Sequence, residues 1–201
     1  MHWHRAPETF ILFPVVSMES YRVMTNMEHW QGIGLVPGEV QLSDWSDQWS
    51  SLFEEEAARI TEACGEVEIR LEHVGGTSID GARSRPMIDI LLGIEHLRDS
   101  GALIEPLKQI GYRCHGENGV PGRRHFTRSV DRRCMVNLEL FQLDSESWER
   151  ILTLRDRLRS DTDLLKQYVD LKTDLQARFP DNPDEYQDGK AVFEESVLAD
   201  E

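Results

Sequence analysis

Apolar residues recur at helical spacing along residues 46–65, at Trp49, Leu52, Phe53, Ala57 and Ile60. That spacing predicts an amphipathic helix, capped by Ser46 or Asp47 and stopped by Gly65. The pattern then switches. Residues 67–74 (VEIRLEHV) alternate apolar and polar positions, which predicts a half-buried strand. Residues 86–94 (PMIDILLGI) are apolar almost throughout, as a strand covered on both faces would be. Residues 95–112 predict a helix ending at Gly111, with Pro106 marking a fresh first turn or a kink. Residues 116–129 (GENGVPGRRHFTRS) open in turn residues and finish in strand-like alternation. Residues 134–141 (CMVNLELF) predict another strand, with Asn137 and Glu139 on one face. Helical patterns fill 145–161, 162–179 and 182–200. In the middle one Leu164, Leu165, Tyr168, Leu171 and Leu175 form a single stripe, read as core packing. The fold class expected is α/β or α+β, a small mixed sheet flanked by helices with a C-terminal helical segment.

One stretch does not fit a purely structural pattern. The strand at 67–74 breaks at Gly75-Gly76, passes through Thr77-Ser78, and returns as an apolar strand holding a lone carboxylate, Asp89. Glycines without side chains let a phosphate approach backbone N–H groups, and the two hydroxyls can donate to its oxygens. An Asp on the neighbouring strand can hold a divalent metal over those oxygens. A charge inside an apolar strand is costly unless it is paired, so Asp89 points to a ligand, a metal or an arginine. Glu139, on the polar face of its strand, is the candidate second acid. His73 enters the turn and is either a binding residue or a satisfied core histidine. Five arginines, Arg123, Arg124, Arg128, Arg132 and Arg133, crowd residues 123–133. Arg123 and Arg124 are the candidates for bidentate contacts to phosphate, against the alternative that they partner the protein's own acids.

Charge and cysteine content narrow the class. The chain of 201 residues carries a formal net charge of −15, which disfavours extended binding to nucleic acid or to an anionic membrane. Cys64, Cys114 and Cys134 are widely spaced and contain no CxxC, so neither a disulfide framework nor a structural zinc site is expected, and a cytoplasmic setting fits. The apolar run 10–16 is broken by Pro14 and too short to span a membrane. His2 and His4 could bind metal in principle, but the expected reading is a loosely ordered start or a misplaced start codon. The Gly/Pro-rich stretch GIGLVPGE (residues 32–39) suggests an extension over 1–38 and a compact domain over 39–201. Nothing in the pattern specifies an oligomeric state.

The blocks around the Gly-Gly turn resemble the GrpB family, whose members carry His-Val-Gly-Ser-Thr-Ser-Val-Pro-Gly followed by Lys-Pro-Ile-Ile-Asp-Ile. Here these read HVGGTSIDG at 73–81 and RPMIDI at 85–90. LKQIGY at 107–112 resembles the family's Leu-Gly-Tyr segment, GVPGRRHFTR at 119–128 its Gly-Ile-Pro-Gly-Arg-Arg-Tyr-Phe, and the helical tail its Tyr- and Lys-bearing end. The resemblance runs from about Glu39 onward with motifs in order. It implies a nucleotidyltransferase-like fold, and members are often fused to, or named after, dephospho-CoA kinase.

Three departures stand out. The family's Ser is Gly76, its Lys is Arg85, and its His-x-His strand is Asn137-Leu138-Glu139. The positions flanking Asp89 by two, Met87 and Leu91, cannot ligate a hard cation. The expectation is a nucleotide or phosphorylated small molecule bound by His73, Gly75, Gly76, Thr77, Ser78, Arg85, Arg123, Arg124 and Lys190. Asp89 and Glu139 would hold Mg²⁺ if metal-assisted phosphoryl or nucleotidyl transfer takes place. The missing second acid favours the alternative of a catalytically degenerate nucleotide-sensing or accessory module.

Overall fold

The computed structural model describes residues 30–199. The chain divides into two compact units, Met1–Gln31 and Gly32–Glu201; the elements below all belong to the second. The expectations for His2, His4 and the run 10–16 lie outside the described residues. Among the described residues, no helix is long and apolar enough to cross a membrane.

Five strands, β1 (Arg70–Val74), β2 (Ile88–Ile94), β3 (Tyr112–Cys114), β4 (Arg124–Val130) and β5 (Arg133–Gln142), form one mixed sheet in the order β1-β2-β5-β4-β3. β2 and β5 pair in parallel and the other neighbours are antiparallel. The helices are α1 (Gln48–Cys64), α2 (Gly101–Gln109), α3 (Glu146–Ser160), α4 (Thr162–Arg178) and α5 (Pro183–Ala199). The class is the one expected: a mixed sheet flanked by helices, with a C-terminal helical stretch. The helix expected over 95–112 begins later. Residues 97–100 form a 3₁₀ turn, and Pro106 sits inside α2 rather than opening a new turn.

The two faces of the sheet differ in chemistry. The back face carries Ile88, Ile90, Leu92, Val136, Leu138, Leu140 and Phe126, all fully buried. α1 covers it with a stripe of Trp49, Leu52, Ile60 and Cys64 that also contains Glu56, with no measurable exposure. That carboxylate is satisfied completely. Arg128 of β4 donates Nε and a terminal nitrogen to it at 3.0 and 2.9 Å, Tyr112 its hydroxyl at 2.7 Å, and Arg59 a terminal nitrogen at 2.7 Å.

The front face is apolar only toward β1, where Val74, Leu91, Phe141 and Trp148 of α3 pack together. Toward β4 it turns polar, with Asp89, Asn137, Glu139, His125 and Thr127 on the same side by register. The chain ahead of Glu39 also joins this unit: Leu35 exchanges backbone hydrogen bonds with Cys134 at 3.0 and 2.8 Å, and Gly34 N–H donates to the Pro86 carbonyl at 2.7 Å. Val40 and Leu42 pack on Leu175 and Tyr186, tying the same segment to the C-terminal helices.

Candidate functional site

A cavity of about 200 Å³ opens between the polar front face and the pair α4–α5, floored by Asp89 and Asn137 and rimmed by the Gly75-Gly76 turn. The turn is built by β1 ending where its chain must reverse. Gly75 has φ +67°, and a methyl group there would collide with the Asp89 carboxylate. A left-handed backbone conformation and close approach to Asp89 therefore both require glycine. At Gly76 a methyl group would collide with the Ser84 hydroxyl and crowd Lys172. Ser84 Oγ thus stands where a side chain at 76 would begin, so a hydroxyl remains beside the turn although residue 76 has lost its own. Ser84 is held rigidly, its backbone N–H and carbonyl both paired with Ser43 at 2.9 and 2.8 Å.

Four cationic side chains line this space; Arg155 is engaged by Glu72 and Asp156, and the other three, Arg85, Lys172 and Lys190, converge on it. Arg85 lies 5.6 Å from the Tyr186 ring, Lys190 stands 5.6 Å from the same ring, and Lys172 lies 4.6 Å from the Tyr168 ring. Lys172, only 3% exposed, donates to Ser84 Oγ at 3.0 Å. Lys190 donates to Gln187 at 2.9 Å and lies 3.4 Å from Glu194, whose carboxylate also accepts from the Tyr168 hydroxyl at 2.6 Å. Burial, aided by the neighbouring charges of Lys190 and Arg85, brings the Lys172 ammonium down to about 7. Burial likewise lowers Lys190, and raises the Tyr186 hydroxyl to about 12. Gly189 makes the crowding possible: its bare Cα packs against Leu175, where a methyl group would collide, so α5 approaches α4 closely.

On the floor, burial raises the Asp89 carboxyl above its ordinary range and Glu139 adds to the rise, while Arg85, Asn137 and Lys190 oppose it. A directed chain of hydrogen bonds orients this acid. Asn118 Nδ2 donates to His125 Nδ1 at 3.0 Å, His125 Nε2 to Asn137 Oδ1 at 2.6 Å, and Asn137 Nδ2 to Asp89 Oδ1 at 3.0 Å. The imidazole is thereby held neutral with its proton on Nε2, in keeping with the lowering of its pKa by burial.

Of the residues expected from the sequence, Gly75, Gly76, Arg85, Asp89, Glu139 and Lys190 line the cavity together. The others are used around it. His73 is buried on the back face, stacked on Phe53 with ring centroids 4.7 Å apart and bonded to Thr77 Oγ1 at 3.1 Å. Burial drives its pKa down to about 3, so it is a neutral brace for the turn. Thr77 also donates to the Met87 carbonyl at 3.3 Å, and Ser78 Oγ to the Gly75 carbonyl at 2.7 Å. Arg123 forms an ion pair with Glu139. Arg124 lies 3.5 Å from Glu117, and Arg128 clamps Glu56. The arginine cluster thus largely partners the protein's own acids.

Sequence reasoning passed over Ser84, Lys172, Tyr168, Tyr186, Glu194 and His125. A signal was present for Lys172: it follows Tyr168 by four residues in the stripe read as core, the one place on that helix where a charge should not be.

The acids do not suit a divalent cation. Asp89 already accepts from Asn137, Glu139 is neutralised by Arg123, and three cations stand close by. Mg²⁺ is usually held by one or two protein carboxylates together with waters and substrate phosphates, and of the two expected acids only Asp89 is without an ion pair to a described residue. Among the described residues no group of three or more His, Cys, Asp or Glu is placed to hold a metal ion.

Comparison with known proteins adds kinship to this geometry. A family model described as GrpB protein matches residues 39–200. The UPF0157 protein YqkA of Bacillus subtilis is 32% identical over 75% of this chain, which spans only 44% of that protein's length. The glutamate-rich protein GrpB of Alkalihalophilus pseudofirmus is 28% identical over 83% of this chain and 98% of its own. The crystal structure of GrpB from Enterococcus faecalis superposes with a TM-score of 0.70 at 28% identity, covering 79% of this chain and 98% of that one.

Proposed function

The chain belongs to the GrpB family, and from that premise we propose that it binds a nucleotide or another phosphorylated small molecule in the cavity between the sheet and α4–α5. One observation carries the reading. Arg85, Lys172 and Lys190 converge on one space, and neither Arg85 nor Lys172 forms an ion pair with any described residue. Like charges of which only Lys190 is paired with an acid repel one another in a partly buried pocket, and a polyanion relieves that repulsion. The ring faces of Tyr168 and Tyr186 beside the cations supply the apolar surface that a base or another planar group would need. The nucleotidyltransferase-like likeness of the Gly-Gly turn facing Asp89 points the same way.

For activity, the donor set favours the second reading. Metal-assisted phosphoryl or nucleotidyl transfer needs acids free to share a cation, and here Glu139 is already neutralised by Arg123. A nucleotide-sensing or accessory role asks only for binding. Thermal denaturation with a panel of ATP, GTP and coenzyme A precursors tests the reading. A ligand at about a hundred times its Kd stabilises by about 2.7 kcal/mol, and Arg85→Ala should remove most of that rise. If millimolar concentrations of every panel member leave the melting midpoint unmoved, the proposal fails.

A further inference from the structure

We infer that the cavity takes its phosphate ligand free of divalent metal, the multiply charged anion being held directly by Arg85, Lys172 and Lys190, with the Ser84 hydroxyl as an additional donor. This rests on the reading above that the ligand is phosphorylated, and adds the form in which it is bound.

The charge inventory carries the inference. Of the carboxylates facing the cavity, Glu139 is paired with Arg123, and Glu194 serves Lys190 and the Tyr168 hydroxyl. Asp89 alone of the three forms no ion pair with a described residue, and it accepts at one oxygen from Asn137. A divalent cation entering here would meet one available carboxylate and three positive side chains. An anion meets the reverse. Phosphate bound as its metal complex carries less negative charge to offer those cations, so metal weakens rather than builds the interaction.

Lys172 and Ser84 complete the case. The Lys172 ammonium has three donors, and the one oxygen it bonds is Ser84 Oγ. A buried ammonium without a counter-charge is costly. Ser84 spends a lone pair on Lys172 and donates to no described residue, so its proton remains available for a ligand oxygen. Both side chains are nearly fully buried, yet both face the cavity.

The groups around Lys172 are Lys190, Glu194 and Tyr186 from α5, Arg85 and Ser84 from the loop before β2, Asp89 from β2 and Tyr168 from its own helix. Because the amine is buried, with the charges of Lys190 and Arg85 adding to the effect, its pKa in the empty site lies near 7. An arriving anion restores its proton. Binding is therefore coupled to proton uptake, strongest below about pH 7 and weakening as pH rises above it.

Isothermal titration of the full chain tests this, with ATP and inorganic pyrophosphate as probes, in EDTA and in excess Mg²⁺, in two buffers of different ionisation enthalpy at pH 8. The expected result is binding in EDTA at least as tight as in Mg²⁺, with net proton uptake. Lys172→Met should cost about tenfold or more in affinity, the scale of a lost charge-assisted hydrogen bond, and abolish the uptake. Ser84→Ala, which removes only a hydroxyl, should weaken binding less while leaving the uptake in place. Binding that requires Mg²⁺ and is lost in Asp89→Asn would overturn the metal-free inference and leave the phosphate reading intact. Absence of binding for both probes in both conditions would overturn the two together.

Discussion

Gly76 and Ser84 show how one residue's chemistry depends on a neighbour that the sequence does not identify. The serine expected at position 76 from the family resemblance is replaced by glycine, and the Ser84 hydroxyl occupies the space where its Cβ would lie. The exchange predicts strong coupling. Gly76→Ser alone should destabilise by about 1–3 kcal/mol, the usual cost of overpacking. In a Ser84→Gly background the same change should cost less by at least about 0.5 kcal/mol. Urea denaturation of the four variants measures this, and additive costs would show that the two sites do not share the space. The loss of the serine was legible in the sequence because the motif around it is so regular. Its replacement by Ser84 was not, since the two lie eight positions apart and contacts distant in sequence, the Ser43–Ser84 bridge and the Lys172 bond, hold the hydroxyl there.

At the scale of elements, the arginines of residues 123–133 were legible as a cluster but not as individuals. Alternation puts Arg124 and Arg128 on the same face of β4, but Arg128 lies in the interior, where it holds Glu56 of α1, while Arg124 at the start of the strand stands beside Glu117. The Glu56–Arg128–Tyr112 network fastens α1 across β3 and β4, from the interior of an otherwise apolar helix face. Arg128→Met removes one partner and leaves a buried carboxylate with less compensation. Such losses cost about 3–5 kcal/mol. Chemical denaturation should show a decrease of that size, whereas a change below about 1 kcal/mol would mean that Tyr112 and Arg59 suffice. α4 repeats the lesson: its apolar stripe correctly predicts a buried face, yet that face also carries Lys172 into the cavity.

For the whole molecule, the cost of assembling the site should appear in its pH dependence. Lys172 falls in the folded chain from its ordinary 10.5 to about 7, so between those values the unfolded chain binds more protons. Without ligand, stability therefore rises as pH climbs from about 7 toward 10.5, and the full penalty is present below 7. Lys172→Met should flatten that slope in urea melts across the range and stabilise the empty protein at neutral pH. An unchanged slope would show that the amine is not held near neutrality. His73 acts in a lower window. With its folded value near 3 against 6.5, the contribution it makes above pH 6.5 is lost as pH falls toward 3. By itself, the sequence determined the order of the helices and of every strand except β3 (Tyr112–Cys114), the Gly-Gly turn before Asp89, and the kinship, because periodicity, glycine spacing and motif order are local properties of the chain. The tertiary structure alone decided that Arg85, Lys172 and Lys190 share one space, that Glu139 forms an ion pair with Arg123, and that Ser84 stands beside the turn. Charges attract, repel and cancel through space, and their separation along the chain does not encode that distance.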